Sequence, residues 1–169
     1  MFTFVKRFKL MAIRTLYGNA LRDPASPLPL SQAIYSNSGV RHATDTFTVL
    51  ATDNAGSVFY LAKVPSHAII LPSFCDHAAL TGGSFSWGLY DARGVVTAVP
   101  AALGAAASYA SAAVKYINTL APANKMKRVW ELLNLTQDPG RDFVVALTQT
   151  VDVSAGGAVF ANLQWIEGR

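Results

Sequence analysis

The stretch GSVFYLAKVPSHAIIL, Gly56 to Leu71, decides how the chain is read. Two apolar runs, Val58–Val64 and Ala68–Leu71, flank Pro65, Ser66 and His67. Runs of this length, rich in β-branched and aromatic residues, are strands. Proline has no N–H to give to a sheet ladder and a fixed φ, so it belongs where a strand ends or bends. The stretch therefore predicts two strands of a sandwich, or one strand that bends as it changes sheets. His67 is then a corner residue and Lys63 a strand-end cation.

Working outward, DTFTVLA (45–51) alternates, with Phe47 and Val49 on one side and Thr46, Thr48 and Leu50 on the other. TDNAG (52–56) is turn chemistry. Downstream, AIILPSFCDHA (68–78) predicts a strand with Ile69, Leu71, Ser73, Cys75 and His77 on one face and Ile70, Pro72, Phe74 and Asp76 on the other. SFSWGLYD (84–91) predicts another, with Phe85, Trp87 and Leu89 on one face. DFVVALTQTVDV and AVFANLQWIE are expected to form a closing hairpin joined at Gly156-Gly157. In NKMKRVWELLNLTQDPG, Asn124 is a cap and Met126, Val129, Trp130 and Leu133 form an apolar stripe, which predicts a short helix over 125–134 ended by Asp138-Pro139-Gly140.

Residues 98–121 are rich in Ala and Ser. Leu103, Ala106, Ala110, Ala113 and Ile117 fall at helical spacing, but Gly and Ser dilute the signal, and the segment reads equally as a surface excursion ordered by a partner. Residues 17–44 hold three prolines within 24–29, a density that denies helix and central strand, so an extended arm is expected. Six β runs, one short helix and no βαβ rhythm indicate an all-β fold: a jelly-roll-like antiparallel β-sandwich over 45–169 behind an arm over 1–44.

The chain has 169 residues, of which 51% are hydrophobic and 14% charged. One domain is expected, large enough to bury roughly 70% of its unfolded surface without disulfide or metal. The charged share lies below the usual ~25%. This suits a surface held against other proteins, and an Ala-rich domain gives the same count. The net charge of +4 owes much to Lys6, Arg7, Lys9 and Arg14, and no basic-aromatic alternation marks a nucleic-acid surface. No run of 18 apolar residues predicts a membrane span. The single cysteine, Cys75, permits no internal disulfide.

Chemistry-bearing clusters are weak. Among His42, His67 and His77, only His77 shares a strand face with Cys75, which falls short of the four ligands of a zinc site. Cys75 lies beside Asp76, which disfavours a thiolate, and no Gly-x-Ser-x-Gly is present. The acids fall mainly at turns and strand ends, where Asp serves local hydrogen bonds. Phe85, Trp87, Tyr90 and Trp165 could make a sugar platform, although alternating aromatics on a strand are usually core. No catalytic residue, metal or cofactor is expected.

The order of segments carries a resemblance. The Lys63-Val64-Pro65 step, GLYDARG (88–94), WELL (130–133), DPG (138–140) and the Ala-Gly-Gly turn of the last two runs together resemble small tailed-bacteriophage virion proteins of the capsid decoration (cement) type. The resemblance covers about residues 45–169 and its motifs are structural. It implies a jelly-roll or β-sandwich body that grips the major capsid protein on the outer capsid surface and self-associates as a dimer or trimer, without nucleic acid or membrane. The contacts so implied are placed on the arm, at Leu16, Tyr17, Leu21, Arg22, Pro27, Leu28, Leu30, Tyr35 and Val40, and on the Ala-rich segment, at Leu103, Tyr109 and Lys115. A neck, tail or fibre module and a carbohydrate-binding jelly roll are the alternatives.

Overall fold

A computed structural model describes residues 15–17, 39–91 and 93–167. Among the described residues, ten strands make two facing sheets. The first holds β1 (Thr15–Tyr17), β3 (Val58–Pro65), β9 (Asp142–Val151), β6 (Ser84–Tyr90) and β7 (Val99–Ser108), in that spatial order. The second holds β2 (Val40–Val49), β10 (Gly157–Glu167), β5 (Phe74–His77) and β8 (Ala113–Tyr116), with β4 (Ala68–Ile70) also on β10. Every pairing is antiparallel except β1 with β3. The fold is an all-β sandwich.

The Pro65 step is the passage between sheets. Lys63 and Val64 pair with Val144 and Phe143 of the first sheet, and three residues beyond Pro65 the chain pairs with β10 of the second. The Ser66 N–H donates to Arg141 O at 2.8 Å, and the Ser66 hydroxyl donates to Asp138. The corner is thereby tied to the loop that leads into β9. Helix α1 (Val129–Leu132) seals it: the Trp130 N–H donates to Ser66 O, and Val129 is buried.

Alternation predicts the core face well. Phe47 and Val49 are buried, as are Phe85, Trp87 and Leu89. Stacked rings of Phe47 and Phe59, 5.3 Å apart, join the two sheets. β9 is buried along Phe143–Gln149 because it is the central strand of its sheet, flanked by β3 and β6.

Five expectations are corrected. The strand expected over 68–78 is two strands of different phase: Ile70 faces the core together with Cys75 and His77. Trp165 pairs with Ile70 and Asn162 with Phe74, so three residues (71–73) oppose two on β10. Ser73 Oγ fills the gap, accepting the Gln164 N–H at 2.8 Å and donating to Leu71 O at 2.9 Å. The segment 98–121 is neither helix nor excursion. It forms β7 and β8, because its small residues fit opposite large ones: Gly104 faces Trp87 and Ala107 faces Phe85. The helix over 125–134 shrinks to Val129–Leu132. Arg128, not Asn124, caps it, with its N–H donating to Glu131 Oε2 at 2.7 Å, and Met126 is exposed. The last two strands are not a hairpin: β9 lies in the first sheet and β10 in the second, so residues 152–156 cross the sandwich. Gly156 permits the crossing, since a Cβ there would stand 2.2 Å from Val49 O. Finally, residues 40–44 of the expected arm are the start of β2, and residues 15–17 pair with β3.

Candidate partner-binding surface

β8 has the sequence AVKY, Ala113 to Tyr116. Its neighbour β5 sends Cys75 and His77 inward, and Lys115 and Ala113 are their register partners. Cross-strand partners share a face, so Lys115 and Ala113 lie on the inner side. Val114 and Tyr116 then face out, 64% and 70% exposed. This inverts the usual arrangement of a half-solvated antiparallel strand, in which the apolar set points to the core.

The inversion adds exposed apolar side chains to the outer face of the second sheet. Phe160 pairs with Asp76, Asp76 with Val114, and Asn162 with Phe74, which pairs with Tyr116. Phe74 and Phe160 meet at 6.4 Å between ring centroids. β2 contributes Thr44, Thr46 and Thr48 to the same outer face, all exposed. Across these nine positions Asp76 is the single formal charge. Depletion of charge with exposed aromatics is the composition of an interface core.

Beside this face, β7 and β8 are terminal strands of the two sheets, and just beyond β8 the Thr119 N–H donates to Leu103 O of β7 at 2.9 Å. Between them lies a groove of about 300 Å³, lined by Phe85, Trp87, Gly104, Ala107, Tyr109, Lys115 and their neighbours. Tyr109 organises its floor. The Trp87 Nε1–H donates to the Tyr109 hydroxyl at 3.1 Å, and Cys75 Sγ lies 3.4 Å from the same oxygen. The His77 ring stacks on Tyr109 at 4.2 Å, and Lys115 Nζ sits 5.6 Å from the Tyr109 ring centroid. Burial pushes the Cys75 thiol and the Tyr109 hydroxyl up from their ordinary values, so both stay protonated near neutrality. A neutral, buried thiol is a packing group and no nucleophile. Among the described residues, no group of three His, Cys, Asp or Glu is placed to hold a metal ion.

Of the twelve residues expected at contacts, Leu21, Arg22, Pro27, Leu28, Leu30 and Tyr35 lie outside the described residues. Leu16 and Tyr17 are in β1, paired with Phe59 and Tyr60. Val40 opens β2 opposite Ile166 and is half-buried. Leu103 and Tyr109 are core side chains, not the exposed contacts of an excursion, because β7 is a sheet strand that turns Leu103 inward and leads directly to Tyr109. Lys115 is on the groove, in contact with Tyr109. Phe85, Trp87 and Trp165 are buried, the core placement that is usual for alternating aromatics on a strand, and are not presented as a sugar platform. Sequence reasoning missed Val114, Tyr116, Phe74 and Phe160. A period-two reading of 113–116 would have found the first two.

No protein-family model and no curated protein matches the chain. Two solved structures share the fold. One chain of the capsid of Ralstonia phage GP4 aligns with a TM-score of 0.62 at 14% identity, over 92% of this chain and 99% of that one. One chain of the cyanophage Pam1 capsid asymmetric unit aligns with a TM-score of 0.51 at 16% identity, over 86% of this chain and 100% of that one.

Proposed function

We propose that this chain is a structural component of a bacteriophage particle and, within that class, a decoration protein that binds the outer surface of the capsid and bridges its subunits. The observation that carries this is the two-way coverage: the whole of a capsid chain from each of two phages superposes on nearly the whole of this one. The outer face of the second sheet, where Asp76 is the single formal charge across the nine positions described, suits the work, which is to lie against protein. Bridging needs a stiff body and many modest contacts, multiplied by the symmetry of the shell. Its partners are then the major capsid protein and, within each cluster on the shell, further copies of itself as a dimer or trimer.

The test is cryo-electron microscopy of particles carrying the chain, with its copy number measured by quantitative mass spectrometry. A decoration protein is expected as regular protrusions on the shell at hundreds of copies. About a dozen copies at the neck or tail would move it to another virion component, and absence from particles would end the proposal.

A further inference from the structure

We infer that copies of this chain associate head to tail: the tip of the β6–β7 connection of one copy rests on the outer face of the second sheet of the next, with Arg93 against Asp76. The inference deepens the self-association named in the decoration reading and rests on that part of it alone. Three observations carry it. First, the tip is held in one shape. The Asp91 carboxylate accepts the N–H groups of Arg93 at 2.9 Å, Val95 at 3.0 Å and Val96 at 2.8 Å, and the Arg141 guanidinium anchors it at 2.9 Å. This frame presents Val95, 73% exposed, and the exposed Arg93, whose side chain has no ion pair among the described residues. A preordered arginine beside an apolar side chain has the composition of an interface anchor. Second, the outer face of the second sheet holds the complement. Asp76 is exposed there, its carboxylate has no hydrogen bond or ion pair among the described residues, and it lies between its register partners Phe160 and Val114. A carboxylate set among apolar side chains is matched by a cation that brings an apolar neighbour. The spacings agree. Arg93 and Val95, two residues apart in the chain, are separated by at most ~7 Å. Asp76 and Val114, as cross-strand partners, have Cβ atoms ~5 Å apart. Both halves of the contact belong to this chain, which selects a second copy as the occupant of the face.

Third, the two patches lie too far apart to meet within one copy. Tyr90, which leads into the tip, pairs with Val144 of the first sheet beside the Pro65 corner. Asp76 pairs with Phe160 of the second sheet, six residues or ~20 Å along β10 from Ile166, which meets Ile69 at that corner. A two-fold contact of tip on tip or face on face leaves both charges unpaired. A contact between different patches is heterologous and, where the rotation closes, builds a ring of three or more copies.

Sedimentation velocity on the free full-length chain is expected to show concentration-dependent association. Arg93→Asp and Asp76→Arg are each expected to weaken it at least about tenfold, and the chain carrying both is expected to recover to within about threefold. After mild oxidation, a mixture of Val95→Cys and Val114→Cys chains is expected to form disulfides between the two variants and not within either, with the buried Cys75 taking no part. A free chain that stays monomeric at every concentration it tolerates, unchanged association of the charge-reversed chains, failure of the double change to restore it, or disulfides formed equally within each variant would overturn the inference. Protrusions counted on particles would still decide the decoration reading, and absence from particles would end that reading without altering these solution results. If a charge-reversed chain does not fold, as read by circular dichroism, the disulfide result decides.

Discussion

Tyr109 is where the buried polarity of the second sheet meets the aromatic core of the first. Its hydroxyl takes the Trp87 N–H and faces Cys75, and its ring lies between His77, Phe85 and Lys115. Replacing it with phenylalanine keeps the ring and strands a buried indole N–H. A loss of ~1–3 kcal/mol in urea unfolding is expected, since a lone buried donor forfeits its hydration. Gly88 shows the other limit, that of space. One residue of β6 there faces four of β7, 100–103, and a Cβ would lie 2.5 Å from the Pro100 backbone. Gly88→Ala is expected to cost ~1–3 kcal/mol or more by overpacking, read as a lowered urea midpoint. Asp91 supplies the pH dependence. Burial raises its carboxyl, but the Arg93 and Val96 N–H groups and the Arg141 guanidinium 2.9 Å away outweigh that and hold it below the ordinary value. A depressed folded pKa means stability that is complete above the unfolded value near 4 and lost as pH falls through the folded one. Asp91→Asn is expected to be less stable at pH 7 and to show a flatter midpoint between pH 5 and 2.

At the scale of elements, alternation was a good guide wherever a strand had one buried face, as in β2 and β6, because side chains change sides at every residue. It failed at 68–78, where one extra residue on the β4–β5 side reverses the phase. Ser73 makes that offset tolerable by replacing a ladder carbonyl with its own oxygen. Ser73→Ala is expected to lower stability by ~1–3 kcal/mol and to speed amide exchange at Gln164, whose N–H would lose its acceptor. The Ala-rich strand β7 failed for a different reason. Alanine is a strong helix former, and what overrides it is the set of large side chains on β6 with room only for small partners opposite. The short helix was visible as an apolar stripe. Its length was not, because Arg128 and Glu131 start it late and Asn134, at φ 56°, ends it early.

For the molecule as a whole, connectivity governs behaviour. From β2 onward, successive strands alternate between the sheets except at β4–β5 and β6–β7, which stay together. Neither sheet is a contiguous piece of chain, so neither can form alone. Unfolding is expected as one transition, with near-ultraviolet circular dichroism from buried Trp87 and Trp165 and the far-ultraviolet signal coinciding. Two separated midpoints would contradict the interleaving. Folding is expected in the millisecond-to-second range typical of non-local β topologies, measured by stopped-flow fluorescence.

By itself the sequence determined the all-β class, the positions of most strands, the inward faces of β2 and β6 and the Pro65 passage. These follow from local rules: side-chain period, turn chemistry, and the missing donor of proline. Only the tertiary structure decided that β9 and β10 lie in opposite sheets, that Tyr109 is core, and that Val114 and Tyr116 face out while Lys115 faces the groove. Those outcomes depend on which strand lies alongside which, a choice made by the fit of side chains far apart in the chain, and no local pattern carries it.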